Sequence, residues 1–267
     1  MPLTEQEIFD TTRNTAINSI RKYAVTKLKK KKKFQILDLI MPNERKVRSI
    51  VGGLETSLGT TLWEPLARNL AELNGFEVVK NNLQMPTNMP HNLHNTLQTI
   101  IASRRNGSKQ YDARASHLAI KSVCEDFIQN PIDNFKKAPS GHGVDVWLIK
   151  DGVNYFFDTK TVQPNVGDYS KYLIQLLTWY AYFYSQFPEG LAEARIVFPY
   201  NPYGQLDFWD NTVNRGRPLE QINEAWVQNE FWDFCTGFEN SYSVIHKAFV
   251  DIAESGDLKD ILEQIFN

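Results

Sequence analysis

The sequence predicts a mixed α/β fold: a central mixed sheet flanked by helices, with an added helical region at the N-terminus. Three observations predict it. Two β-rich runs, at 144–149 and 153–157, flank Asp151-Gly152, a pair that favours a two-residue hairpin turn. An aromatic-rich helical run at about 168–187 then leads into another strand at 195–198. Amphipathic helical patterns precede and follow this centre.

Taken in order, residues 4–30 read as one long helix, because Ile8, Phe9, Ala16, Ile17, Ile20, Ala24 and Leu28 recur at helical spacing. It ends in the run Lys29 to Lys33, where cations suit a helix C-terminus and are also placed to touch phosphates. A second helix is expected at 43–55. Gly59 and Thr60 read as the start of a third, whose apolar stripe runs through Leu62, Trp63, Leu66, Ala67, Leu70 and Ala71 to Asn74-Gly75. Residues 76–79 read as a short strand, and 80–92, rich in Asn and Pro, as a loop. Helices are expected near 93–104 and 115–129, with Arg104 and Arg105 opening an exposed basic loop between them. The remainder reads as loop and then helices, including 239–253 and 257–266. The expected division is a helical region at 1–56, for dimerisation or DNA contact, and a core with C-terminal helices at 57–267.

Composition narrows the function classes. With 267 residues and 42% hydrophobic content, the chain is long enough and apolar enough to bury a core. The N-terminus lacks a secretory pattern, and no run approaches the roughly 18 apolar residues of a membrane span. Cys124 and Cys235 are the only cysteines, which excludes a disulfide framework and a cysteine zinc site; the expected compartment is cytoplasmic. No Walker A pattern is present, so no nucleotide cofactor is expected. Net charge is −2, but residues 1–160 hold 23 Lys/Arg against 16 Asp/Glu, and residues 161–267 hold 6 against 15. Such segregation lets a basic face hold a polyanion although the whole is near neutral.

The chemistry is concentrated in the hairpin. A two-residue turn at 151–152 pairs Lys150 with Val153, and that register sets Asp145 opposite Asp158. Side chains alternate along a strand, so Lys160 shares the face of Asp158. Two carboxylates whose Cβ atoms stand roughly 4.5–5.5 Å apart repel each other, and the apolar neighbours Val144, Val146, Trp147, Phe156 and Phe157 raise the cost. A divalent cation relieves it, Mg²⁺ being suited to two carboxylates plus waters; a shared proton is the other route. Lys160 is then placed to orient the attacking water or to stabilise charge at phosphorus. Glu64, in the first turn of its helix, is a further candidate; an acidic residue favoured there by the helix dipole is the plainer alternative.

These residues resemble the PD-(D/E)xK nuclease superfamily, and within it the type II restriction endonucleases. The resemblance is carried by Gly143-Val144-Asp145, twelve residues, then Asp158-Thr159-Lys160. It continues through Thr161 to Gly167, through Lys171, Gln175, Leu176, Leu177 and Trp179, and through residues 198–203 and 230–234. The chain resembles the enzymes that cut short interrupted palindromes of the GG-N-CC kind. The resemblance implies that Asp145 and Asp158 bind metal with the Thr159 carbonyl, that Lys160 is the motif lysine, and that Glu64 is the helix glutamate supporting the site. Val144 stands where the motif has proline, and Asp158 where glutamate is more frequent. It also implies a homodimer acting on double-stranded DNA. Candidate DNA contacts are Arg104, Arg105, Asn165, Lys171, Gln175, Asn201, Tyr203 and Arg215, with affinity drawn mainly from phosphates. The expected activity is Mg²⁺-dependent site-specific DNA cleavage in a restriction-modification system. A repair or junction nuclease of the same superfamily and a non-catalytic DNA-binding regulator remain open alternatives.

Overall fold

The computed structural model describes residues 1–28, 35–108, 110–139, 141–210 and 218–266. Lys29 to Lys33 and Arg215 therefore lie outside the described residues. The chain forms two compact units, residues 1–74 with 232–267, and residues 75–231. These do not divide at residue 56 as expected, because the helical stretch after it and the C-terminal helices group with the N-terminal helices.

In the first unit, α1 (Glu5–Leu28) and α2 (Pro42–Leu58) follow the expected periodicity. Gly59 and Thr60 do not start a new helix. Instead, α2 passes through a π-turn at Gly59–Trp63 directly into α3 (Glu64–Leu73). Pro65 supplies the reason: it has no N–H to give to the carbonyl four residues back, and Glu64 N–H reaches Gly59 O, five back. Trp63 is buried against Trp232 and Phe249, with ring centroids 6.2 and 5.8 Å apart.

The second unit holds β1 (Glu77–Val78), β2 (Gln84–Pro86), α4 (His91–Arg105), α5 (Ala113–Cys124), α6 (Asp126–Gln129), β3 (Phe135–Lys137), β4 (Val146–Lys150) and β5 (Val153–Thr159). It continues with α7 (Val166–Gln186), β6 (Leu191–Phe198) and β7 (Ala225–Val227). Past these lie α8 (Asn229–Thr236), in which the units divide, and then α9 (Ser241–Ser255) and α10 (Lys259–Phe266) of the first unit. Strands β1-β4-β5-β6-β7 form a five-stranded mixed sheet, antiparallel up to β5 and parallel beyond it. The architecture is thus mixed α/β with helices flanking the sheet, as the sequence predicts. The expected loop at 80–92 contains β2, which pairs with β3. That short ribbon carries Pro86, and neither it nor β7 is long enough to show alternation.

The hairpin turn has the geometry its two residues favour. Asp151 and Gly152 both have positive φ, 51° and 77°, and Lys150 pairs with Val153. A Cβ on Gly152 meets nothing within 4 Å, so any cost of adding one is backbone strain. We expect Gly152→Ala to lower stability by about 1–2 kcal/mol, and Asp151→Asn, which tolerates the same φ, to leave it nearly unchanged. A urea midpoint of Gly152→Ala equal to that of the parent would contradict this.

Alternation along β5 decides what the site sees. Phe157 points to one face, where it meets Trp226 and Phe231 at 5.7 and 5.2 Å. Phe156 points to the other, against Trp147 of β4 and against Trp179 and Phe183 of α7, at 5.2, 6.4 and 5.4 Å. Asp158 and Lys160 share the Phe156 face. Helix α7 is apolar nearly all round because it lies between the sheet and α4 and α5; Tyr169, Leu173, Leu176, Trp179 and Ala181 are fully buried. The aromatic run at 179–187 is therefore largely core.

Candidate active site

Strand β4 reaches the site through its first residues. The ladder ends with Val146 opposite Phe157, and the Asp145 N–H donates to the Phe157 carbonyl at 3.0 Å. Continued register would have set Asp145 squarely across from Asp158. The strand end steps off by one residue, a bulge-like shift, yet the Asp145 side chain still turns toward the end of β5. Its Oδ2 accepts the Thr159 N–H at 3.0 Å and lies 3.4 Å from Thr159 Oγ1.

Asp158 is only 2% exposed. Lys160 Nζ donates to its Oδ1 at 2.8 Å and lies 2.7 Å from Oδ2. The second approach has poor hydrogen-bond geometry, so buried Oδ2 receives no proper hydrogen bond. Burial pushes the Asp158 carboxyl well above the usual carboxylate range. A hydrogen bond shared with Asp145 and the Asp145 charge push the same way, and Lys160 opposes them. Two carboxyls thus meet at a buried strand end with one ammonium to balance them.

This donor set fits a hard divalent cation. Two carboxylates, one with a buried oxygen lacking a hydrogen bond, are hard oxygen donors of the kind Mg²⁺ accepts. No cluster of three or more His, Cys, Asp or Glu side chains suited to a metal occurs among the described residues, so the side chains offered here are the two carboxylates.

The next elements frame the cluster. Asn165 caps α7: its Oδ1 accepts the Asp168 N–H at 3.1 Å while Asp168 Oδ2 accepts the Asn165 N–H at 3.0 Å. These contacts, with Lys171 and the Lys160 charge, hold the Asp168 carboxyl below its ordinary range, the cap bond contributing most. Lys171 is exposed and pairs with Asp168 at 3.2 Å; Gln175 is half-buried one turn on. Tyr200 OH donates to the Thr161 carbonyl at 2.8 Å and Gln163 Nε2 to that of Pro202 at 3.1 Å, tying the 199–203 loop to the residues after Lys160. Asn201 braces that loop, accepting from Tyr203 N–H and donating to Leu206 O. His142 is pinned to α7 by Trp179 Nε1, which donates to its carbonyl at 2.9 Å.

The candidate residues are thus not all brought together. Asp145, Asp158, Thr159 and Lys160 form one cluster, and α7 and the 199–203 loop stand beside it. Glu64 belongs to the other compact unit, at the start of α3, where it pairs with Arg68 at 2.8 Å. Arg104 is corrected outright. It ends α4 rather than opening an exposed loop, and it is 6% exposed in a two-pronged ion pair with Glu224 at 3.0 and 2.6 Å. Arg105 is exposed. The sequence reading missed Tyr172, whose ring centroid lies 5.4 Å from Lys160 Nζ. Its only signal was its place on α7 beside Lys171, in an aromatic run that reads as core.

Neither a curated protein nor a solved structure matches the chain. A family model does, one described as type II restriction endonuclease, HinfI, and the match runs over residues 3–253. Because that span takes in the hairpin, the helix behind it and nearly all the rest, the chain belongs to the HinfI family of type II restriction endonucleases and is a site-specific deoxyribonuclease.

Proposed function

We propose that the chain cuts double-stranded DNA by Mg²⁺-dependent phosphodiester hydrolysis at the cluster of Asp145, Asp158 and Lys160, on a core of the PD-(D/E)xK kind. The observation that carries this reading is the buried, under-satisfied Asp158 carboxyl facing Asp145 at a strand end. Asp145, Asp158 and the Thr159 carbonyl are the groups that would hold the ion. When bound, Mg²⁺ lowers the pKa of a coordinated water and polarises the phosphoryl group. Lys160, on the same face and part-exposed, orients the attacking water and offsets charge that builds at phosphorus. Glu64 is proposed as a supporting residue on the sequence expectation alone.

Arg105, Asn165, Lys171, Gln175, Asn201 and Tyr203 are proposed to touch DNA, and Arg215 joins them on the sequence expectation alone. Arg104 is left out because its guanidinium is consumed in the core. The proposed target is a short interrupted palindrome. The GG-N-CC flanks rest on the motif segment alone, and sequencing the ends of cut fragments decides them. A two-fold target calls for a homodimer; light scattering that returns the mass of one chain on DNA-sized concentrations of protein would argue against it.

The direct test is plasmid DNA incubated with and without Mg²⁺. Discrete fragments are expected only with the metal. Cleavage undiminished in a chelator would overturn the metal reading, and cutting restricted to branched DNA would favour a repair nuclease. A second consequence concerns stability. Asp158→Asn removes a buried charge, so the metal-free variant is expected to melt higher than the parent, while Mg²⁺ raises the melting temperature of the parent only. An equal Mg²⁺ shift in both proteins would sink the assignment of Asp158.

A further inference from the structure

We propose that Tyr172 is a positioning residue for Lys160, its ring face holding the ammonium beside the site when the Asp158 oxygens are shared with a divalent cation. The inference rests on the reading of Asp145, Asp158 and Lys160 as the cutting site.

Among the described residues, Lys160 Nζ lies against two groups. One is the Asp158 carboxylate at 2.7–2.8 Å, and the other is the Tyr172 ring at 5.4 Å. That separation lies within the roughly 6 Å over which a cation is drawn to an aromatic face. The ring is a fixed platform. Tyr172 is 7% exposed, Tyr169 is fully buried, and the two rings meet edge to face at 6.1 Å. Both stand on the first turns of α7, whose start is locked by the Asn165–Asp168 capping box.

Lys160 itself is less constrained. It follows the last paired residue of β5, and its side chain is 28% exposed. Its backbone is fixed by the N–H donated to Val197 O at 2.8 Å, but four rotatable bonds separate that anchor from the ammonium. Asp158 cannot give its oxygens fully to a cation and to Lys160 together. A lysine released from its carboxylate has wide rotamer freedom, and a charged group that wanders by an ångström loses much of its effect on a reaction. The Tyr172 ring offers the ammonium an attachment that no cation competes for, because a fixed quadrupole, unlike a carboxylate, is not a ligand for Mg²⁺. The hydroxyl plays no part; the ring face does the holding.

The test uses the full chain with three replacements at 172: Tyr172→Phe, trifluorophenylalanine at the same position, and Tyr172→Leu. Fluorine withdraws the negative face of the ring at nearly constant shape, so that chain folds even if the leucine chain does not. Phe is expected to cut like the parent. The trifluoro and leucine chains are expected to lose about 3- to 30-fold in kcat with KM unchanged. Mg²⁺ titrated calorimetrically without DNA supplies a readout apart from cutting: with no electron-rich ring face to receive Lys160, the leucine and trifluoro chains are expected to bind the ion several-fold more weakly. In a Lys160→Ala background none of the three replacements should cost anything further. Equal kcat for the Phe and trifluoro chains overturns the proposal, as does a loss in the Phe chain equal to that in the leucine chain. If Lys160→Ala alone cuts at the parental rate, the site reading fails instead, and the two failures are distinguishable.

Discussion

Lys160→Ala and Asp145→Ala chains are expected to bind duplex DNA nearly as the parent does and to cut it at least about 100- to 1,000-fold more slowly. The two losses have different origins. Asp145 contributes a carboxylate that already takes the Thr159 N–H, so the alanine variant removes half of the anionic donor set and frees a backbone donor. Lys160 contributes the ammonium paired with buried Asp158, so its loss leaves that carboxylate facing the Asp145 charge with no cation beside it among the described residues. On the proposed reading, neither residue makes the phosphate contacts that supply most DNA affinity. Gel-shift affinity in Ca²⁺ or without metal, beside single-turnover cleavage in Mg²⁺, separates the effects. Parental cleavage by Lys160→Ala would remove the central assignment, and loss of binding in step with cleavage would recast these residues as part of the DNA-holding surface.

The second large effect is on stability, at a residue that reads as a DNA contact in the sequence. Arg104→Ala is expected to cost about 3–5 kcal/mol. Arg104 gives both arms of its guanidinium to Glu224 and also bonds the Pro218 carbonyl at 2.7 Å and Ser116 Oγ at 3.2 Å. Burial raises the Glu224 carboxyl above its ordinary range, and Arg104 is the main influence opposing that rise. Removing the arginine strands a carboxylate that is 5% exposed. It also removes the guanidinium that ties α4 to the turn leading into β7, a turn in which Glu224 takes the Glu220 N–H at 2.9 Å. Replacing both partners with apolar residues should cost much less than removing one, because no charge is then left buried. Arg105→Ala, one residue on and exposed, should leave stability unchanged and act, if anywhere, on the salt dependence of DNA binding. Urea unfolding of the four chains decides the matter; a cost below about 1 kcal/mol for Arg104→Ala would show that the pair is not the anchor described.

Much of the core and cluster is legible in the sequence. The hairpin was readable because Asp151-Gly152 is one of the few dipeptides that a two-residue turn favours, and the runs beside it are β-branched and aromatic. Alternation then placed Asp158 and Lys160 on one face by chain geometry alone. At the hairpin, the expected opposition of Asp145 and Asp158 failed because ideal register was extended past the last ladder pair. There the Asp145 N–H takes the Phe157 carbonyl instead. Strands β2 and β7 escaped notice because three residues are too few to carry a period.

Local chemistry in the sequence therefore determined the turn, the strand faces, the long helices and the residues that gather at the strand end. Long-range packing decided the rest. Arg104 meets Glu224 across 120 positions of sequence, and Lys160 meets Tyr172 only because α7 folds back over the sheet. Side-chain period and turn preference act over a few residues, so they cannot say which distant surface a helix end will be buried against. An arginine in a loop-like context and one sealed in an ion pair have the same neighbours in the chain, and only the tertiary structure separates them.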